Sequence, residues 1–305
     1  MMQPMPLDIA VVGHFSIDSI RLPIRPNPFI MLGGAAAYVS LVVKRLEGNV
    51  SIISRVGADF PKAYIWWLKE EGIDVSNVIK QETEKTTRFE LEYSHDLTNR
   101  TLTLKSKGKP LGLDDLPTNL QGKAIHLAPI AGEITVEVAE HLKRATDIIS
   151  FDPQGLLRKF NEKGKVSSSS LREMDLLSLV NVYKSSAEEI IILTGRTDLK
   201  EAMKAVHDYG VEIVIVTMGG KGALLSAEKN VCNIPACQSN ALVDPTGAGD
   251  AFMGGFLIEF IRAKDLFWCG CVGSAAASFV VEGLGPTVLG QREEIYRRAS
   301  TIYEK

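Results

Sequence analysis

Short apolar runs rich in valine and isoleucine recur along the chain, separated by stretches with helical spacing. The runs DIAVV (8–12), VSIIS (50–54), AIHLA (124–128), DIISFD (147–152), EIIILTG (189–195) and VEIVIVTMGG (211–220) read as strands buried on both faces. Between them, Pro61 to Glu71 and Leu199 to Tyr209 carry helical periodicity, with Tyr64, Trp67, Leu68 and Glu71 near one stripe of the first. Alternation of this kind predicts an α/β fold, a doubly wound and mostly parallel sheet flanked by helices.

Two segments follow a different period. HFSIDSIRLP (14–23) and TTRFELEYSHDLTNRTLTLKSK (86–107) alternate in steps of two, with Phe89, Leu91 and Tyr93 on one face and Arg88, Glu90 and Glu92 on the other. The second folds as a hairpin about SHDLTN (94–99). Both belong to a small β-sheet, with strands at approximately 14–30 and 85–108, inserted in a single domain spanning 1–305 and placed as a lid over a site. NEKGKVSSSS (161–170) is polar and low in complexity, and reads as a mobile loop.

Composition narrows the chemistry. In 305 residues, 45% are apolar and 23% charged, an ordinary globular balance, and a net charge of −3 gives no electrostatic case for nucleic acid or an anionic membrane. MMQPMPLDIAVV lacks a secretory leader, and no stretch approaches the about 18 unbroken apolar residues of a membrane span, so a soluble, cytoplasmic protein with a small-molecule partner is expected. No histidine lies near Cys232 and Cys237 or near Cys269 and Cys271, and the second pair is a C-x-C inside an apolar, small-residue segment; buried thiols, not metal ligands, are the expectation.

The sharpest chemical signal is VDPTGAGDAFMGGFL (243–257). Helical spacing from Ala248 onward puts Gly247, Ala248, Gly249 and Asp250 at a helix N-terminus, where unpaired amides and a positive dipole suit a phosphoryl group. No lysine follows Gly249, which rules out a Walker A loop, and the dinucleotide fingerprint is missing, which removes a redox enzyme of that class. Taken alone, Gly-Ala-Gly supports a plain strand-to-helix turn capped by Asp250 equally well. Gly254 and Gly255 inside the helix each cost about 1 kcal/mol relative to alanine, so something must press closely there, and CGCVGSAAASFVV (269–281) supplies a partner of small side chains. Asp250 itself, at a helix N-terminus, is expected to stay ionised as a weak base that orients a hydroxyl and takes its proton late in the reaction.

DPTGAGDAFMGGFL resembles the C-terminal signature of the ribokinase-like (PfkB) carbohydrate kinases, and VVGHFSIDSI, LGGAAAYVS, RVGADF, EGIDVSNV and VTMGGKGALL extend the likeness over nearly the whole chain. The resemblance implies an ATP-dependent and Mg²⁺-dependent kinase acting on a hydroxyl of a sugar or cyclic polyol. It assigns the catalytic base to Asp250 and the anion hole to Gly247, Ala248 and Gly249. It also gives substrate hydroxyls to Asp18, close substrate approach to Gly33 and Gly34, nucleotide contacts to Thr217, Gly219 and Gly222, and magnesium placement to Glu189.

KSSAEE (184–189) carries Ser186 where the family's K-P-N-x-x-E has asparagine, and GGAAAY puts Tyr38 where ribokinases carry asparagine. GGAAAYVS, KSSAEE and VEGLGP are more similar to the myo-inositol kinase branch, which makes myo-inositol the leading acceptor. Ribose, fructose, 2-keto-3-deoxygluconate and nucleosides stand behind it, with Phe15, Phe89, Tyr38 and Tyr93 available to stack a base. FDPQGLLR resembles D-P-N-x-R, with Gln154 for asparagine and Arg158 displaced and without an assigned role. A non-catalytic nucleotide-binding module is the alternative outside the enzymes, and a homodimer pairing through the lid is the expected assembly.

Overall fold

The computed structural model describes residues 6–23, 25–95, 100–170, 174–228 and 230–304. Its strands and helices run β1 (Leu7–Val12), β2 (Ser16–Arg21), β3 (Phe29–Gly33), α1 (Ala35–Arg45), β4 (Val50–Gly57), α2 (Lys62–Glu70), β5 (Val78–Gln81), β6 (Thr87–Tyr93) and β7 (Arg100–Ser106). They continue as β8 (Gly122–Leu127), α3 (Val136–Lys143), β9 (Ile148–Phe151), β10 (Arg158–Phe160), β11 (Val166–Ser168), β12 (Val182–Ser186), α4 (Ala187–Thr194), α5 (Leu199–His207) and β13 (Ile213–Thr217). The chain closes with β14 (Ala223–Ala227), β15 (Asn230–Ile234), α6 (Ala248–Phe260), α7 (Leu266–Val280) and α8 (Arg292–Tyr303).

The main sheet has the order β15-β14-β13-β12-β9-β8-β1-β4-β5. From β13 through β5 neighbouring strands pair in parallel, while β14 and β15 add an antiparallel edge. Two clusters of buried aliphatic and aromatic side chains cover the two faces, because successive residues of β1 point to opposite sides: Ile9 and Val11 join one, Ala10 and Val12 the other.

The small sheet is present, in the order β3-β2-β6-β7. Phe89, Leu91 and Tyr93 are buried, as the alternation predicts, whereas Arg88, Glu90 and Glu92 are not. β6 and β7 pair antiparallel as expected of a hairpin. Most of its SHDLTN turn, 96–99, lies outside the described residues.

The two glycines inside α6 serve two different helices. A Cβ on Gly254 would come within 2.8 Å of the Val39 carbonyl of α1, and one on Gly255 within 3.0 Å of the Gly273 Cα of α7. The small-residue partner predicted at 269–281 is α7, and the close approach on two sides fixes the α6 N-terminus in space.

Two expectations from the sequence are corrected. EIIILTG is not a strand but most of α4. Ser186 Oγ accepts from the Glu189 amide at 3.2 Å while Glu189 Oε2 accepts from the Ser186 amide at 2.8 Å, and Gly195 closes the helix at φ 68°. This reciprocal capping box outweighs the β-branched composition of a run short enough to pass for a strand. The strand at this point in the sheet is instead β12, VYKSS.

The polar segment 161–170 is not simply a loop. It contains the turn and second strand of a β10–β11 hairpin, which docks on β7 of the small sheet: the Leu104 amide donates to the Gly164 carbonyl at 2.8 Å, and Thr103 bridges Lys165 in antiparallel fashion. Its polarity reflects a ribbon with much of its surface in solvent.

Candidate active site

β1 lies between β4 and β8, and the chain leaves it outward in both directions. In a parallel sheet this switch point opens a crevice beyond the carboxyl ends of the strands. The segments that follow β1, β9 and β12 there bring together Asp18, Asp152, Gln154 and Glu189, while Lys184 projects from the end of β12 itself; the α6 N-terminus faces them.

Gly247 caps α6 in the left-handed region at φ 82°, and a Cβ there would lie 2.3 Å from the Tyr38 ring. Glycine is therefore required twice over at this position, by backbone conformation and by the packed tyrosine. The Ala248 amide donates to the Pro245 carbonyl at 3.2 Å, closing the turn. Gly249, among the predicted anion-hole positions, and Asp250 beside it thus keep first-turn amides without a carbonyl partner inside the helix. A Cβ on Gly249 would sit 3.0 Å from Lys184 Nζ, so its absence lets the ammonium stand against the turn.

Asp250 is half-buried, and the desolvation of its carboxyl changes its chemistry. Burial pushes its carboxyl up to about 6; the Lys184 ammonium opposes the rise, Asp152 adds to it, and Arg158 and the Gln154 hydrogen bond oppose it. The expectation of a weak base is corrected accordingly: desolvation outweighs the helix N-terminus and makes Asp250 a stronger base, still mostly ionised at pH 7.5. Gln154 Nε2 donates to Asp250 Oδ1 at 2.9 Å, and Arg158 Nη2 donates to Gln154 Oε1 at 2.9 Å.

Lys184 pairs with Asp152, both side chains being almost wholly buried. Burial alone would lower the lysine, but Asp152, Asp250 and Glu189 hold its ammonium above the usual value. Lys184, Asp152, Gln154 and Arg158 were not assigned site roles from sequence, although all four sit within KSSAEE and FDPQGLLR. The signal is the likeness of these two segments to the family patterns, kept at Lys184 and Asp152 and altered at Gln154 and Arg158, which marks the positions without showing that they converge.

Asp18 comes from β2 of the small sheet. Gly33 pairs with Ser16 on β2, and a Cβ on Gly33 would strike Asp18 Oδ2 at 2.0 Å, while one on Gly34 (φ 93°) would meet the His14 carbonyl at 2.5 Å. The glycine pair thus makes room for the acid and for the backbone after β1. Asp18 Oδ1 is buried with no hydrogen-bond partner among the described residues, leaving an acceptor available to a ligand hydroxyl. Burial pushes Asp18 up to about 6, against Ser16, Arg158 and Arg100, with Asp244 adding to the rise.

Between about pH 4 and 6 the folded chain keeps on Asp18 a proton that the unfolded chain releases, so stability falls as pH rises through that window. Asp18→Asn is expected to stabilise the protein by about 1–3 kcal/mol at pH 7.5 and to change little at pH 4.5, while lowering kcat/KM for the acceptor. Urea unfolding at the two pH values checks the first part, and equal effects at both would refute it.

The small sheet touches the turn before α6 directly. The Tyr93 hydroxyl donates to Asp244 Oδ1, Arg100 Nη1 donates to Thr246 Oγ1 at 2.7 Å, and the Thr246 amide donates to Asp244 Oδ1 at 2.9 Å. The four aromatics considered for base stacking are engaged in packing: Phe15, Tyr38, Phe89 and Tyr93 are each at most 6% exposed.

Of the nucleotide positions, Gly219 (φ 58°) lies open at the end of β13, where a Cβ would find nothing within 4 Å. Gly222 instead packs on the backbone, where a Cβ would meet the Ile234 carbonyl at 2.1 Å, and Thr217 Oγ1 donates to the Ser185 carbonyl at 3.3 Å. For magnesium, no cluster of three or more His, Cys, Asp or Glu side chains suited to an ion occurs among the described residues. Glu189 uses Oε2 in the helix cap and keeps Oε1, which suits an ion that retains most of its waters.

Residues 7–291 match the pfkB family carbohydrate kinases. The cytidine kinase of Thermococcus kodakarensis is 30% identical over 282 residues, 92% of this chain and 98% of that protein. The inositol 3-kinase of Arabidopsis thaliana is 27% identical over 263 residues, 83% of this chain and 68% of that protein. In fold, the chain is similar to a pyrophosphate-dependent kinase of the ribokinase family, solved with a pyrophosphate analogue and myo-inositol. The TM-score is 0.81 at 22% identity, covering 95% of this chain and 99% of that one.

Proposed function

This chain belongs to the pfkB family of carbohydrate kinases, and from that premise we propose that it moves the γ-phosphoryl group of ATP onto a hydroxyl of a nucleoside, with Asp250 as the base. The observation that carries the reading is the half-buried carboxylate in the first turn of α6, raised to about 6 by desolvation and set beside unpaired amides and the Lys184 ammonium. The acceptor oxygen bonds to the γ-phosphorus, the bond to the β-phosphate oxygen breaks, and the hydroxyl proton passes to Asp250. Positioning and charge stabilisation supply most of the rate in such a transfer. A magnesium ion bound with the nucleotide would neutralise phosphate charge, with Glu189 Oε1 within this reading as its protein ligand or as the acceptor for one of its waters.

The nucleoside assignment is supported by the cytidine kinase likeness, which spans nearly the full length of both chains. It moves ahead of myo-inositol, whose named relative aligns over a smaller share of either chain. Myo-inositol stays as the second reading for one structural reason. The aromatic side chains near the site are packed away, whereas Asp18 offers a free buried acceptor, a combination suited to a compact ring bearing many hydroxyls.

A panel measuring product from cytidine, other nucleosides, myo-inositol, ribose, fructose and 2-keto-3-deoxygluconate, each with ATP and with pyrophosphate, separates these outcomes. The highest kcat/KM is expected for a nucleoside with ATP; turnover confined to myo-inositol, or to pyrophosphate, would overturn that choice. A homodimer through the lid belongs to the same reading and would use the β3 edge, because the β10–β11 hairpin already bridges β7. No helix among the described residues is long and apolar enough to cross a membrane.

A further inference from the structure

Gln154 occupies a turn whose backbone is fixed on both sides. Its amide donates to Asp152 Oδ1 at 3.1 Å, and the next residue, Gly155, donates to the Pro129 carbonyl at 3.0 Å, in a space where a Cβ would meet Pro129 at 2.3 Å. The side chain then spans from Arg158 to Asp250. A guanidinium has only donors, so it must face the amide oxygen of Gln154, and the amide nitrogen is left for the carboxylate. The reverse orientation would set donor against donor and acceptor against acceptor.

Arg158 is fixed in turn. Nη1 donates to the Ile130 carbonyl at 2.7 Å, and the guanidinium lies 5.3 Å from the centroid of the Phe89 ring of β6. It is also the first residue of the β10–β11 hairpin that bridges the lid strand β7. The base is thereby connected to the lid through two side chains, Gln154 and Arg158.

We propose that Gln154 is a positioning residue for phosphoryl transfer: held in one orientation by Arg158, its amide pins Oδ1 of Asp250 and presents Oδ2 to the acceptor hydroxyl. The proposal rests on Asp250 being the base. Gln154 neither gains nor loses a proton; the one released when the acceptor O–H bond breaks ends on Oδ2, and Oδ1 accepts from the amide throughout. A donor on Oδ1 favours the ionised carboxylate, so its loss moves the acid limb of activity upward. The other groups acting on Asp250 are Lys184 on β12, Asp152 after β9, Arg158 on β10 and Tyr38 on α1, and all remain in a Gln154 variant.

The test compares Gln154→Met, which keeps length but has no donor, with Gln154→Asn, which keeps the amide but withdraws it, and with Arg158→Met, which frees the amide to turn. Asp250→Asn runs in parallel. kcat and acceptor KM are measured from pH 4.5 to 9, alongside thermal melting. Both Gln154 variants are expected to lose roughly ten- to a hundredfold in kcat at pH 7, with KM within about twofold and the acid limb displaced to higher pH. Arg158→Met is expected to displace the limb in the same direction. If Asp250→Asn is inactive while folded Gln154→Met or Gln154→Asn keeps the parent limb, the positioning role is wrong. If Asp250→Asn turns over normally, the base assignment itself fails, whatever the Gln154 variants do.

Discussion

Asp250→Asn is expected to lower kcat by roughly 10²–10⁴-fold while changing ATP affinity by less than about twofold. The amide preserves the shape and polarity of the first turn of α6, so Gly249 and residue 250 keep their backbone donors and the nucleotide keeps its site. What disappears is the acceptor of the proton. Under the proposed reading the natural carboxylate takes the proton of the attacking hydroxyl, and its value of about 6, raised by desolvation, predicts an acid limb in kcat near that pH. Single-turnover kinetics with acceptor and nucleotide-binding titrations without it separate the two effects. Parallel loss of ATP affinity would instead point to a damaged turn.

Lys184→Met carries the second large effect, and it acts on stability as well as rate. The lysine is the buried counter-charge of Asp152 and stands against Gly249, next to the base. Removing one member of such a pair leaves an uncompensated buried charge, which costs about 3–5 kcal/mol, a large share of the roughly 5–15 kcal/mol of a typical domain. Asp250 also loses the charge that most opposes its upward shift, so more of it is protonated at neutral pH and the acid limb moves up. The double variant Lys184→Met/Asp152→Leu is expected to recover most of the stability and little of the activity, as urea unfolding and kcat would show. Recovery of both would mean that the pair only supports the fold.

The parts of this architecture legible in the sequence are those where burial acts on whole elements. Runs such as DIAVV and VSIIS read as strands because both faces of a parallel sheet are covered, and the 86–107 alternation reads as a hairpin of the small sheet because one face is. β12 escapes such a reading for the opposite reason: VYKSS ends in Lys184, Ser185 and Ser186, polar residues that its place at the crevice requires. α4 is hidden behind β-branched residues, though its S-x-x-E start and Gly195 stop are plain in the sequence.

The glycine turn and the start of α6 are readable because local spacing sets them. The raised carboxyl of Asp250 is not, since it depends on groups far away in the chain; Gln154, its hydrogen-bond partner, is 96 residues distant. Nor can local polarity reveal that the 158–168 ribbon packs on β7 of the small sheet, because the contacts that define it are made to Thr103 and Leu104.

A crystal structure with a non-hydrolysable ATP analogue and the best acceptor from the panel is the most direct measurement. The account predicts the terminal phosphorus against the amides of Gly249 and Asp250, with the acceptor oxygen about 3–3.5 Å from it and in hydrogen-bond contact with Asp250 Oδ2. A terminal phosphate lodged elsewhere in the crevice, or an acceptor hydroxyl bound to a different base, would contradict it.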